Sequence, residues 1–268
     1  MSGYPWGAFG VGAGAAAAAA LAVMLLTFAV AVVRGVHRIV DIAWGPAFAA
    51  VAVVSYAVSA GEGGDGARRL VVTALTVVWG LRLGIHIALR GRGHGEDPRY
   101  EAMLAKAPGD RNLYALRKVY LLQGALVLLV SLPVQAAQYL PGAIGPAGYA
   151  GCAVWLTGLL FEGVGDRQLA RFKADPAHRG RIMDRGLWSW TRHPNYFGDF
   201  CVWWGLFLLV CDDPVVAAAT VVSPLVMSFL LIGGSGKRLL ERHMADRPGF
   251  ADYTARTSGF FPLPPKRS

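Results

Sequence analysis

Residues 186–199 read Gly-Leu-Trp-Ser-Trp-Thr-Arg-His-Pro-Asn-Tyr-Phe-Gly-Asp. Two cations, an amide, a phenol and a carboxylate crowd the entrance of an apolar segment, where an ordinary membrane helix carries almost nothing polar. Pro194 suits the first turn of a helix and pushes His193 toward an extended conformation, so a helix is predicted to start here with Thr191 or His193 near its cap. From that start Asn195, Asp199 and Trp203 follow one another on one face. The helix N-terminus also offers unpaired N–H groups and positive dipole to an anionic or carbonyl-bearing ligand. The plainer reading is a proline elbow anchored by the interfacial aromatics Trp188, Trp190 and Tyr196. Asn195 and Asp199 have no anchoring reason to point inward together, and that favours a site.

Outward from this stretch the chain is apolar. Hydrophobic residues make up 54% of its 268 residues and charged ones only 16%, which places it in the membrane class. Seven apolar runs appear, at 9–33, 39–60, 70–89, 119–139, 147–161, 196–210 and 215–232. A helix needs about 20 residues to cross the hydrocarbon core, so the fifth and sixth runs must extend into their polar flanks. The first run, with its Ala15–Ala20 tract, lacks the basic start of a signal peptide and is too long for its core, so it reads as a mature helix. The expected fold is an all-α polytopic membrane protein with seven transmembrane helices.

The net charge of +9 is unevenly distributed. Lys and Arg number two in 34–38 and seven each in 90–118, 162–195 and 237–268. The alternate connections hold two in 61–69 and none in 140–146 or 211–214. The positive-inside rule then predicts an outside N-terminus and a cytoplasmic C-terminus, in the cell's inner membrane. The basic segments would form one cytoplasmic face, suited to an anionic partner such as a phosphate-bearing cofactor, although setting topology explains the same asymmetry. Nucleic acid is not implied. Cys152, Cys201 and Cys211 lack ligand or redox spacing and read as reduced packing residues.

Several polar residues sit where an apolar segment should exclude them. Arg34, Arg38 and Asp41, at i, i+4 and i+7, are predicted to line one face of the second helix, as either an inward site or an interfacial ion pair. Trp79, Arg82, His86 and Arg90 form a second stripe on the third helix. Arg82 lies inside the hydrocarbon boundary, where an arginine costs about 2.5–3.5 kcal/mol on insertion scales and calls for a partner or a wet cavity. The loop from Arg90 to Tyr100 alternates glycine with charge; it is either a phosphate clamp or a flexible connection, and no strand precedes it as a dinucleotide fingerprint requires. Gly233-Gly234-Ser235-Gly236-Lys237 likewise lacks the context of a phosphate loop. Glu162, Asp166 and Lys173 share a helical face at spacings of four and seven. The six histidines show no H-E-x-x-H or clustered pattern, and no catalytic metal is expected.

Taken together, Phe161-Glu162 ahead of Asp166, Gly186-Leu187-Trp188, Arg192-His193-Pro194-Asn195-Tyr196-Phe197-Gly198-Asp199, Glu241, Tyr253 and Phe261-Pro262 resemble the bacterial branch of the steroid 5-alpha-reductase family. Those are seven-helix membrane enzymes that use NADPH to saturate an activated carbon–carbon double bond. The resemblance implies a single domain over 1–268, with substrate-side helices in 1–139 and a dinucleotide-binding half in 147–268. It implies that Glu162, Asp166, Lys173, Asn195, Tyr196 and Asp199 line the NADPH site, with Arg192, His193, Glu241 and Tyr253 in the same motif set. Lys237 or Arg238 would help hold the cofactor, and Arg82 and Arg92 would meet its phosphates. On the substrate side Asp41 looks like the family's acid, one methylene shorter, and if burial keeps it protonated it is the best candidate to donate to the substrate carbonyl; Asp199 stands in for a usual glutamate. Trp79 occupies the place of a proton-donating tyrosine, and Tyr100 or water is left to supply the final proton. The implied substrate is lipid-like: a sterol, an isoprenoid or an acyl chain. The same turn and tail are also similar to isoprenylcysteine carboxyl methyltransferases, which bind S-adenosylmethionine. Those carry a paired Glu-Glu before the tail, whereas here Glu241 follows Leu240. A non-catalytic lipid-binding protein is the third reading.

Overall fold

The computed structural model describes residues 3–234 and 236–266, so Ser235 of the glycine-rich run lies outside the described residues. The helices are α1 (Trp6–Arg34), α2 (Ile39–Val58), α3 (Gly66–Arg90), α4 (Pro98–Leu104), α5 (Arg111–Ala115), α6 (Leu121–Val130), α7 (Leu132–Ala137), α8 (Pro146–Ala174), α9 (Leu187–Trp190), α10 (Pro194–Leu208), α11 (Pro214–Thr220), α12 (Val222–Ile232), α13 (Lys237–Met244) and α14 (Phe250–Arg256). Among the described residues there is no strand, only one isolated bridge between Thr191 and Ser258. Among the described residues six helical segments are long and apolar enough to cross a membrane: α1, α2, α3, Arg111–Val130, α8 and Pro214–Met244. The run expected at 196–210 forms α10, whose 15 residues rise only about 22 Å against a hydrocarbon core of roughly 30 Å.

The chain divides into two compact units, Met1–Gly145 with Leu209–Thr220, and Pro146–Leu208 with Val221–Ser268. In the first unit α1 buries a stripe of small residues, Gly12, Ala16 and Ala20, with Met24 one turn further on. It ends at Gly35, whose φ of 65° lets Gly35 N–H and Val36 N–H reach back to Val32 O and Ala31 O. That stop corrects one expectation: Arg34 closes α1, so it does not share a face of α2 with Arg38 and Asp41. Helices α2 and α3 cross where Gly45 and Gly80 meet backbone to backbone; a Cβ on either would collide with the other's carbonyl. Beside this crossing Trp79 and Phe48 pack edge to face at 5.6 Å.

The expected run at 119–139 is longer at its start and broken at its end. The helix begins at Arg111, passes through a π-turn at Leu116–Tyr120, and stops at Val130. Pro133 cannot donate to the preceding turn, and the Gln135 amide donates instead to Leu128 O (3.0 Å) and Ser131 Oγ (2.8 Å). The last run breaks in the same way between α11 and α12, with Pro224 opposite Thr220.

Arg68, one turn into α3, is 1% exposed. Its guanidinium donates to Ala143 O (2.9 Å), to Asp212 Oδ2 (2.9 Å) and to Leu209 O, tying three separate segments of the first unit. In the second unit α8 and α10 pack through a glycine ladder. Gly158 and Gly198 lie opposite each other, a Cβ on Gly198 falling 2.5 Å from Gly158 O, and Gly205 faces Gly151 O in the same way at 2.6 Å.

Candidate functional site

The second unit builds its site on the elbow. Gly186 adopts φ 60° and turns the chain into the short helix α9. Trp188 is buried, with its indole N–H on Gly165 O at 3.0 Å. Thr191 is extended, and here the C-terminal tail is stitched on: Arg192 N–H donates to Ser258 O (2.9 Å), Thr191 Oγ1 to Phe260 O (2.7 Å) and Leu263 N–H to Trp190 O (3.0 Å). Pro194 then opens α10, as the sequence predicts, with His193 immediately before it.

Glu241 of α13 is the hub of this elbow. Its Oε1 accepts from Arg192 Nε at 2.8 Å and faces His193 Nε2 at 3.0 Å, while Lys237 Nζ lies 3.8 Å from Oε2. Arg192 also donates to Thr254 O and Thr257 O, and the Tyr253 hydroxyl donates to Trp188 O at 2.6 Å. The His193 ring stacks on Tyr196 at 5.3 Å. Burial pulls the His193 pKa below the ordinary histidine value, against the opposing pull of its hydrogen bond to Glu241. The neutral ring therefore donates Nε2–H to Glu241 and keeps Nδ1 as a buried acceptor that no described group engages.

Beside the hub lies a cavity of about 440 Å³, within the usual range for small-molecule sites. One wall is apolar, with Phe172, Met183, Leu240 and Phe250 among its residues. Its cations include Lys173, Arg179, Arg181, Arg192 and Arg247, and its one carboxylate is Asp175. Arg179, Arg181 and Arg247 make no side-chain hydrogen bond or ion pair among the described residues.

Of the residues proposed for cofactor binding, the cavity brings together Lys173, Arg192, His193 and Tyr253. Glu162 and Asp166 are buried on α8 against α10, where Asn195 Nδ2 donates to Asp166 Oδ1 at 3.4 Å. Asp199 lies one turn further along α10 and is half-buried. None of these four lines the cavity, and neither does exposed Arg238. Arg82 and Arg92 belong to the first unit, Arg82 half-buried on α3 and Arg92 exposed in the following loop. The sequence reading missed Arg179, Arg181 and Arg247; their only signal was cationic density, which membrane topology produces as well.

The first unit carries a second, smaller site. Asp41 stands in the first turn of α2, and Tyr100 of α4 donates its hydroxyl to Asp41 Oδ1 at 2.5 Å. Arg99 reaches Asp41 Oδ2 at 3.5 Å while holding Asp97 at 3.0 Å. That hydrogen bond keeps the Asp97 carboxyl below its usual range, and burial followed by the Asp41 charge pushes the Tyr100 phenol above its own. Both Asp41 oxygens face donors, Tyr100 at Oδ1 and Arg99 at Oδ2. Trp79 does not join them: it is fully buried in the α2–α3 core.

The alternating glycines of the Arg90–Tyr100 loop have a structural use here. Gly91 leaves room for the Arg38 guanidinium, Gly93 takes a φ of 74°, and Gly95 O accepts from Arg38 at 3.1 Å. Glu96 caps the start of α2 by accepting from the backbone N–H groups of His37 (2.6 Å) and Arg38 (2.8 Å). A polar cavity of about 240 Å³ opens beside Asp41, between Arg38, Arg90 and Arg99.

Fold and sites together define a multi-pass helical membrane protein with an arginine-lined cavity in each of its two units. The chain belongs to the family described as protein of unknown function, DUF1295, whose pattern matches residues 27–257 and which includes steroid 5-alpha-reductase-like proteins. No curated protein and no solved structure matches the chain.

Proposed function

We propose that the chain is a seven-span reductase of the cytoplasmic membrane, N-terminus outside, that binds NADPH from the cytoplasm and saturates an activated carbon–carbon double bond in a lipid-like substrate. The observation that carries this reading is the 440 Å³ cavity of the second unit, with cations in excess and an apolar wall. These residues fit a phosphate-bearing dinucleotide. Arg179, Arg181 and Arg247 would hold its phosphates, and the apolar wall would take a ring. S-adenosylmethionine fits less well, because its sulfonium adds positive charge to a cavity already rich in it.

NADPH, when bound, supplies a hydride to the carbon beta to the substrate's carbonyl. Negative charge then develops on the carbonyl oxygen, and a donor aimed at that oxygen stabilises it. Tyr100 is that donor in this reading, and water supplies the proton that the alpha carbon takes up to complete the saturation. The raised pKa of Tyr100 keeps the hydroxyl protonated at neutral pH, and Asp41 holds it in place until it turns to the substrate oxygen.

The test is ligand binding by the purified full chain in detergent, followed by NADPH fluorescence and by thermal shift. NADPH should stabilise the protein, and R179Q/R181Q should weaken that binding about tenfold or more. A response to S-adenosylmethionine in place of NADPH overturns the reductase reading in favour of a methyltransferase. A response to neither leaves the non-catalytic, lipid-binding reading standing.

A further inference from the structure

The small cavity of the first unit makes a chemical demand that the proposed reduction does not use. Of its three arginines, Arg99 is occupied by Asp97 and Asp41. Arg38 donates one guanidinium N–H to Gly95 O and has four more. Arg90, the last residue of α3, makes no side-chain hydrogen bond or ion pair among the described residues. A cation at a helix C-terminus complements the helix dipole, which explains an arginine at this position but not a cavity in front of it.

Charge and shape narrow the occupant. Arg38, Arg90 and Arg99 against Asp41 and Asp97 give the lining a net charge of +1 (three minus two), so one negative charge brings it to neutrality. Nearby Glu96 lies outside the lining, its oxygens engaged by backbone N–H groups. The volume of about 240 Å³ is below the roughly 300 Å³ at which small-molecule sites begin, so it holds a head group and not a whole cofactor. Deeper in, the route between the helices is shut: Gly84 sits against Pro46 and Ile42 O, and beyond it Gly45 meets Gly80. A hydrocarbon tail cannot thread there. It must leave sideways, past the half-buried Ile42 and Ile87 that line the cavity at the polar ends of two membrane helices.

We propose that this cavity is a binding site for the monoanionic head group of an amphiphile, a carboxylate or a phosphodiester, held by Arg90 and Arg38. Arginine suits the task because its planar fork of donors matches two oxygens of one oxyanion. Arg90 and Arg38 stand at the polar ends of two membrane helices, and basic residues so placed are attracted to an anionic leaflet. The site does not depend on the dinucleotide reading.

The experiment uses the full chain in neutral maltoside micelles doped with oleate, phosphatidylglycerol, phosphatidylcholine or diolein, and separately with acetate or inorganic phosphate in solution. Oleate and phosphatidylglycerol are expected to raise the unfolding midpoint by about 3 °C or more, and phosphatidylcholine and diolein are not. Arg90→Gln, at an exposed position that folding tolerates, and Arg38→Gln should each remove most of that shift. Arg34→Gln, a basic residue outside the cavity, should keep it. Equal shifts from neutral lipids, an unaffected R90Q, or equal losses in R34Q overturn the proposal. Shifts of the same size from free acetate or phosphate overturn its amphiphile part. NADPH binding is read on the same samples, and its absence counts against the reductase and leaves the lipid result standing.

Discussion

Each of the two units surrounds a cavity with arginines, but the two treat the charge differently. In the first unit the cations are matched against carboxylates almost one for one, and the cavity is small. In the second, Glu241 ties down Arg192 and reaches toward Lys237, while Arg179, Arg181 and Arg247 remain without carboxylate partners in a cavity nearly twice as large. Matched charge holds a loop to a helix and orients single groups such as Tyr100. Unmatched charge waits for an anion from outside. The difference separates a cavity that positions a small polar group from one that recruits a large anionic ligand.

The largest expected effect tests whether the second unit stands at all. Gly198→Leu drives a side chain into the α8 backbone at Gly158 and Glu162, and should destabilise the fold by more than the about 1–3 kcal/mol of ordinary overpacking. Size-exclusion chromatography in detergent should show loss of the folded species. In the first unit, Arg68→Met takes the buried donor from two carbonyls and leaves Asp212 only the Gly145 N–H and solvent, and should destabilise that unit by about 3 kcal/mol, read as a lowered unfolding midpoint. If R68M is harmless, charge matching is not what holds the first unit together.

Tyr100→Phe sharpens the functional side of the contrast. It should lower turnover about 100-fold, the lower end of the range for a proton donor, and leave NADPH affinity unchanged. A rise in NADPH Kd instead would assign Tyr100 to the anion-recruiting side. The smallest effect is one of pH. Burial holds the folded-state pKa of His193 below the ordinary histidine value of about 6.5, so between the two the unfolded chain binds more protons than the folded one. Stability from this group is fully present above about pH 6.5 and is lost as pH falls below it. The unfolding midpoint of the wild type should therefore drop more between pH 7.5 and pH 5.5 than that of His193→Gln.

Much of the fold was legible because its signals are local. Helices α1, α2, α3 and α8 follow the apolar runs, and Pro194 marked the start of α10. Runs 119–139 and 215–232 were misjudged at their ends because Pro133 and Pro224 break helices that hydropathy alone treats as continuous. Arg34 was placed on the wrong helix because Gly35, a single residue with positive φ, ends α1 just after it. Of the sites, Asp41 with Tyr100 and the cluster around Arg192, His193 and Glu241 were readable from polar residues in apolar or motif-like settings. Arg68 and Glu96 were not. Their partners lie as far as 144 residues away for Arg68 and 59 for Glu96, and a count of charges in loops registers them only as topology. Trp79 shows what periodicity leaves open: it gave a face but not that the indole would pack on Phe48.

The stitching of the tail to the elbow has a consequence for synthesis. Thr191 and Arg192 are completed by Ser258 and Phe260, and Trp190 by Leu263, residues synthesised well after the elbow itself. The elbow cannot close until they have been made, however early α8 and α10 enter the bilayer. A nascent chain halted anywhere before residue 258 is a membrane protein without its second site. Reporter fusions meant to map topology by truncation would therefore report on a protein whose second site has not formed, and the tag belongs beyond the full tail.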